Sequence, residues 1–244
     1  MSAEITIMNV SIIVPVFNES KRLGKTLHAI DRYMQSKKHD YEIIVVDDGS
    51  DDKTSDLVRE IQHTVYRLKL LPLPKHQGKG SAVKKGMLLA KGKARLFMDA
   101  DGSTGIEEVE KLLPYLSGGL DVVVGSRLVA GAVKKTRQNL LREFLGWTFR
   151  RITHTLIQTH IVDTQNGFKV FSDTAAQKIF SNMQTREWAF DIEILVLAKK
   201  FNYTVKEVGI VWVNDGRSTM RFLSMLRMLI DLLWIRRHYH AYIV

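Results

Sequence analysis

Apolar, β-branched runs alternate with amphipathic stretches through the first half of the chain. Ser11 to Phe17, Tyr41 to Val46, Leu68 to Leu73, Ala94 to Met98 and Asp121 to Val124 read as strands. Between them, Ser20 to Gln35, Asp52 to Tyr66, Gly80 to Ala90 and Gly105 to Leu116 read as amphipathic helices. Strands that are apolar at successive rather than alternate positions are buried on both faces. The alternation therefore predicts an α/β fold, a mostly parallel sheet with helices on both faces. Ligands of such sheets bind beyond the carboxyl ends of the strands. Polar clusters stand at four of those ends: Asn18-Glu19, Asp47-Asp48-Gly49-Ser50, Asp99 to Ser103 and Gly125-Ser126-Arg127. Their convergence on one edge predicts a single site.

After Arg127 the pattern changes. A long helix is expected over Gln138 to His160, then a polar turn at Asp163 to Gly167 and a short strand at Phe168 to Phe171. Helices at Asp173 to Met183 and Phe190 to Phe201 precede an extended segment, Thr204 to Val213, and a last helix, Thr219 to Tyr242. With no linker and no internal repeat, residues 1–244 are expected to form one domain with a C-terminal helical elaboration. In the last helix Phe222, Leu226, Leu229, Ile230, Leu233 and Trp234 make an apolar stripe that ends at Arg236-Arg237. That pattern suits a helix lying in a membrane interface and a helix packed on a core equally well.

The candidate chemistry centres on Asp99-Ala100-Asp101-Gly102. Alternate residues of extended chain share a face, so the two carboxylates can point together. Unpaired, they would repel; a divalent cation relieves this, and a hard cation beside carboxylates implies a phosphate-bearing substrate. An ordinary acidic turn is the alternative. Pro15 and Phe17 offer an apolar wall and Glu19 an acceptor for a ribose or base, although Asn18 or Ser20 can equally cap a helix. Asp47 and Asp48 open a run with more carboxylates than one cap requires. Lys79 and Gly80, within Lys75-His76-Gln77-Gly78-Lys79-Gly80-Ser81, resemble a phosphate cradle at a helix start but not a Walker loop. Arg127, with Arg142 from the next helix, is suited to bidentate phosphate contact. Asp191 and Glu193 fall on different faces of one helix, so at most one of them points at the site.

Composition narrows the classes. The chain has 244 residues, a net charge of +10 and no cysteine. Disulfide frameworks and thiolate metal sites are excluded, and no nucleic-acid-binding signature accompanies the positive charge. His28, His39, His154 and His160 show no metal-ligand spacing. Neither a signal peptide nor a spanning helix is evident. The expectation is a cytoplasmic protein that does not cross a membrane and does not bind nucleic acid. The sequence leaves its oligomeric state open.

Taken together, Pro15-Val16-Phe17-Asn18-Glu19, Asp47-Asp48-Gly49-Ser50, Asp99-Ala100-Asp101-Gly102 and Gly125-Ser126-Arg127 resemble the family 2 glycosyltransferases of GT-A (Rossmann-like) fold. Asp163-Thr164-Gln165-Asn166-Gly167-Phe168-Lys169, Trp188-Ala189-Phe190-Asp191-Ile192-Glu193 and Lys79-Gly80-Ser81-Ala82-Val83 resemble the dolichyl-phosphate (polyprenyl-phosphate) glucosyltransferase branch. The resemblance runs from about Ser11 to the C-terminus. It implies a nucleotide-sugar-binding half over about 11–130 and an acceptor-binding half over about 131–244. It further implies inverting transfer of a sugar, glucose from UDP-glucose, to a polyprenyl monophosphate at the cytoplasmic face of a membrane. GDP-mannose as donor, or a soluble or cell-envelope glycan as acceptor, are the alternatives. On this reading Pro15, Phe17, Glu19, Asp47, Asp48, Lys79, Gly80 and Ala100 lie at the nucleotide sugar. Asp99 and Asp101 hold Mg²⁺ or Mn²⁺, Arg127 and Arg142 grip phosphate, and Asp191 positions the sugar. A phosphate monoester has a second pKa near ~6, so its oxygen needs no strong general base. Many relatives carry membrane anchors or spans that are not visible here, so the lipid would be met at the bilayer surface.

Overall fold

The computed structural model describes residues 8–135, 140–213 and 222–243; for 140–145 and 222–226 it describes the backbone alone. In chain order the elements are β1 (Asn9–Val16), α1 (Leu23–Ser36), β2 (Asp40–Asp47), α2 (Thr54–Ile61), β3 (Leu68–Pro72), α3 (Lys79–Leu89), β4 (Ala94–Met98), α4 (Val109–Ser117) and β5 (Val122–Ser126). There follow β6 (Val133–Lys134), α5 (Leu140–Ile157), β7 (Phe168–Ser172), α6 (Asp173–Asn182), α7 (Phe190–Lys200), β8 (Val205–Gly209), β9 (Val211–Trp212), α8 (Phe222–His238) and α9 (His240–Ile243). The main sheet has seven strands in the order β3-β2-β1-β4-β7-β5-β8.

The period-2 geometry of a strand explains why the apolar runs are continuous. Ile12, Val14, Ile43 and Val45 face the core under α1, α2 and α4, whereas Ile13, Ile44 and Val46 face the one under α3, α6 and α7. Each strand thus serves two cores. The expected α/β architecture, helices on both faces, is what the chain forms.

Three local expectations differ. The segment Phe168 to Phe171 does form a strand, but β7 runs antiparallel and inserts between β4 and β5. Its N-terminal lead-in, 163–167, therefore arrives at the same sheet edge as the C-terminal ends of β1, β4 and β5. The extended segment Thr204 to Val213 divides at Ile210, because β8 joins the main sheet while β9 pairs with β6 in a separate two-stranded ladder. Neither Asn18 nor Ser20 caps α1. Asn18 takes a left-handed conformation, φ 57°, and its side-chain oxygen accepts the Asp51 N–H at 2.9 Å, tying the β1 and β2 loops together.

The last helix has a buried side and an exposed apolar side. Met228, Leu232 and Ile235 on α8 are buried, while Ile230, Leu233 and Trp234 on its opposite side are exposed. Arg236 Nη1 donates to the Leu156 carbonyl at 2.6 Å and pins α8 to the end of α5.

Candidate functional site

A cavity of about 640 Å³ opens over the carboxyl ends of β1, β4 and β5. Pro15, Phe17 and Glu19 line it from β1, and Asp99, Ala100 and Asp101 from β4. Asp48, Lys79 and Arg127 complete the set of sequence-predicted residues that reach it. Asp47, Gly80 and Asp191 do not line it, and the side chain of Arg142 lies outside the described residues.

The carboxylate pair is held from behind by backbone. Asp99 donates its N–H to the Gly167 carbonyl at 3.0 Å, and Asp101 Oδ1 accepts the Ser103 N–H at 2.9 Å. Burial, then the neighbouring charge of Asp99, pushes the Asp101 carboxyl up. Such mutual repulsion is what a cation would relieve. Among the described residues no cluster of three or more His, Cys, Asp or Glu could hold a metal. A hard cation on Asp99 and Asp101 would take its remaining ligands from phosphate and water, the usual manner of Mg²⁺.

Gly167 fixes where that pair can sit. A Cβ added there would lie 2.2 Å from Asp99 Oδ2, inside any permitted contact. Gly167→Ala is expected to displace the Asp99 carboxylate and lower kcat about 100-fold, with little loss of thermal stability. Steady-state kinetics beside a melting curve check this; wild-type turnover would show that Asp99 tolerates the shift.

The end of the cavity beside the β1 and β2 loops is built differently from the expectation. Asp47 accepts from the Ser50 N–H at 3.0 Å and from Ser55 Oγ, so it organises its own turn and faces away from the cavity. Asp48 accepts the N–H groups of Gln77 and Gly78, each at 2.8 Å, and lies 2.8 Å from His76 Nδ1. It thereby clamps the 75–78 loop, bringing His76 against Phe17 with ring centroids 4.3 Å apart. Glu19 is paired with Arg22, whose Nη2 stands 2.6 Å from Oε1.

The glycine-rich loop is a packing device. A Cβ on Gly80 would meet Phe190 Cβ at 2.8 Å and the Arg186 carbonyl at 2.9 Å, so glycine is required for α3 to approach α7. The Ser81 N–H donates to the same Arg186 carbonyl at 3.0 Å and is unavailable to a ligand. Lys79 alone of this loop extends a charge toward the carboxylates, its Nζ 2.6 Å from Asp99 Oδ1.

Two ion pairs run behind the cavity. Arg127 makes a bidentate pair with Asp163 at 2.8 and 2.7 Å and lies 5.5 Å from the Trp212 ring centroid. Burial works against the Asp163 carboxylate, but Arg127 more than offsets it and holds that carboxyl below its ordinary range. One edge of the guanidinium is thus committed, and only its remaining N–H groups are left for phosphate. Asp191, 2% exposed, is paired with the fully buried Lys169, whose Nζ also donates to the Asn166 carbonyl at 2.6 Å. Burial pushes Asp191 up, opposed by Lys169 and Lys79. Glu193 on the same helix is buried rather than solvated, accepting from the Thr185 N–H at 2.7 Å and from Tyr239 Oη at 2.8 Å.

The wall that α8 contributes is not legible in the sequence. Arg227, Met228 and Asp231 line the cavity, close to Glu187 and Trp188 at the start of α7. In the sequence Arg227 and Asp231 are only charged positions opposed to the apolar stripe of the last helix.

The Glycosyl transferase family 2 model matches residues 11–180 of the chain. The chain belongs to glycosyltransferase family 2. A dolichyl-phosphate beta-glucosyltransferase of Trichomonas vaginalis is 37% identical over 242 residues, covering 95% of this chain and 72% of the relative. A dolichyl-phosphate beta-glucosyltransferase of Dictyostelium discoideum is 37% identical, covering 94% of this chain and 74% of that protein. Among solved structures, glucosyl-3-phosphoglycerate synthase from Mycobacterium tuberculosis, in complex with Mn²⁺, UDP and phosphoglyceric acid, superposes with a TM-score of 0.65 at 18% identity. The match covers 95% of this chain and 78% of that one. The family 2 chain is thus a glycosyltransferase with the GT-A fold expected from its sequence.

Proposed function

We propose that this family 2 enzyme transfers glucose from UDP-glucose to a dolichyl or other polyprenyl monophosphate. The observation that carries the reading is the 37% identity, across 95% of the chain, to an enzyme named for that reaction. The site supports it chemically. The bond that forms joins an acceptor phosphate oxygen to the sugar's anomeric carbon, with inversion. The bond that breaks joins that carbon to the nucleoside diphosphate, which departs with the electron pair. An acceptor already anionic at neutral pH needs no base, and Asp191 is committed to Lys169 behind the cavity. A Mg²⁺ or Mn²⁺ ion on Asp99 and Asp101 would neutralise charge on the departing diphosphate. Lys79 would add a positive charge beside the same group, and the uncommitted edge of Arg127 would meet the acceptor phosphate. Phe17 and His76 offer ring surface for the base, and Trp188 a flat wall for the sugar.

Among the described residues no helix is long and apolar enough to cross a membrane. The outer side of α8 instead exposes Ile230 at 66% and Leu233 at 58%, with Trp234 and Arg237 beside them. On α5, which packs beside it, Trp147 is exposed and Arg151 lies 5.6 Å from its ring centroid. Apolar and aromatic side chains flanked by arginine suit an anionic bilayer surface. This face is where the protein would rest peripherally on the cytoplasmic leaflet to meet its lipid. Ile230→Asp with Leu233→Asp is expected to reduce flotation with anionic liposomes at least tenfold while leaving the melting temperature nearly unchanged; undiminished flotation would remove this face from the interface. Deleting α8 is a poorer test, because Met228, Leu232 and Ile235 belong to the core.

The decisive experiment incubates the pure protein with UDP-glucose, GDP-mannose and related donors, with and without short polyprenyl phosphate, and weighs the products. Glucosyl phosphoprenol formed from UDP-glucose supports the proposal. Transfer from GDP-mannose only, or to a glycan only, overturns it.

A further inference from the structure

Lys79 is the first residue of α3, and its side chain leaves the helix for the carboxylate pair. Its Nζ stands 2.6 Å from Asp99 Oδ1, on a side chain only 17% exposed. The Trp188 ring centroid is 5.0 Å away and that of Phe190 6.0 Å, so aromatic faces hold the ammonium on its far side. The ammonium is therefore the occupant of that Asp99 oxygen.

Asp99 is also one of the two proposed metal ligands. An ammonium at hydrogen-bond distance competes with a divalent cation for that carboxylate, because two positive charges a few ångströms apart repel strongly in a partly desolvated site. Lysine, a point charge on a flexible four-carbon stem, is able to yield the position and keep its charge nearby. A nucleotide-sugar diphosphate supplies the anion that such a displaced ammonium needs. As the sugar leaves, that diphosphate gains a further negative charge.

We infer that Lys79 is a built-in competitor of the metal ion: it holds Asp99 in the resting enzyme and passes to the diphosphate when metal and nucleotide arrive together. The bare ion then binds weakly, because it must displace an ammonium that has no better partner. With nucleotide present the displaced ammonium is rewarded, so metal and nucleotide strengthen each other's binding. Such coupling is reciprocal by thermodynamic necessity. Lys79 is thus a positioning residue that sets the order in which the site loads. The inference rests on the reading of Asp99 and Asp101 as the metal pair.

The test titrates Mn²⁺ into wild type, Lys79→Met, Lys79→Gln and Lys79→Arg, following free Mn²⁺ by electron paramagnetic resonance, first alone and then with saturating UDP. Asp101→Ala is the control, and circular dichroism verifies folding. Neutralising the competitor is expected to tighten binding of Mn²⁺ alone about tenfold in the Met and Gln variants and to shrink the UDP-dependent enhancement by about the same factor. Lys79→Arg, which keeps the charge, should stay within about threefold of wild type. Mn²⁺ binding alone that is unchanged or weaker in both neutral variants overturns the competition, provided wild type with UDP binds Mn²⁺ and Asp101→Ala does not. If wild type with UDP binds Mn²⁺ no better than Asp101→Ala, the metal assignment falls, and this inference falls with it.

Discussion

Replacing Asp101 by alanine is expected to lower sugar transfer about a thousandfold or more while the protein stays folded. The two halves of that result have separate causes. Asp101 makes one backbone hydrogen bond, to Ser103, and its carboxyl is already penalised by burial and by Asp99. Removing it relieves repulsion as well as losing that bond, so the net change in stability should be within about 1 kcal/mol. Function has no such compensation. Among the described residues no third His, Cys, Asp or Glu joins the pair to make a metal cluster. An alanine there leaves a divalent ion with one carboxylate, already shared with Lys79. A product assay beside a melting curve checks both halves. Activity within tenfold of wild type would mean that the carboxylate pair is not where the diphosphate is neutralised.

Lys169→Met should have the largest effect on stability, a loss of about 3–5 kcal/mol at pH 7.5. Lys169 and Asp191 are 0% and 2% exposed, and their charges face each other between β7 and α7. Deleting the ammonium leaves a buried carboxylate whose nearest remaining cation, Lys79, is engaged with Asp99. Burial already pushes Asp191 up, and without Lys169 that shift grows. A carboxyl whose folded pKa exceeds its unfolded value of about 3.9 contributes stability below that value, and the contribution is lost as pH rises. The variant should therefore recover part of its deficit between pH 8 and pH 5. The double variant Lys169→Met with Asp191→Leu should recover most of it at every pH, since an apolar pair of similar volume leaves no charge uncompensated. Urea denaturation of the single and double variants at two pH values measures this. A single variant as stable as wild type would show that Asp191 does not depend on its partner.

The parts of the site carried by consecutive residues at strand ends were legible in the sequence. Pro15 to Glu19 and Asp99 to Asp101 follow apolar runs, and a strand buried on both faces delivers its next residues to the carboxyl edge of the sheet. Asp47 shows where that logic stops. It ends β2 as expected, but strand alternation turns its carboxylate into its own turn, while the next residue, Asp48, reaches the loop before α3. Gly80 read as a phosphate contact because glycine signals close approach. The close approach is real, but what approaches is α7.

Pairings between distant segments were not legible. Arg127 and Asp163 are separated by 36 positions, and Lys169 and Asp191 by 22. Nothing in local periodicity states that β7, which follows Asp163 and carries Lys169, is antiparallel. Once β7 enters the sheet in that sense, Gly167 meets Asp99, Asp163 meets Arg127 and Lys169 points into the α7 core. The same holds for α8, whose stripe was read as either core or interface. A helix has more than two sides, and α8 uses one for the core, one for solvent and one for the cavity wall.

The sequence by itself determined the α/β alternation, the edge where the site opens, the family and the paired carboxylates. Each is written in the chemistry of neighbouring residues, which strand and helix periods translate directly into position. Tertiary structure alone decided which charges are spent. It committed Asp191, Asp48 and half of Arg127 to internal partners and set Lys79 against Asp99. A charge finds its partner through space, and only the sheet order determines which segments become neighbours there.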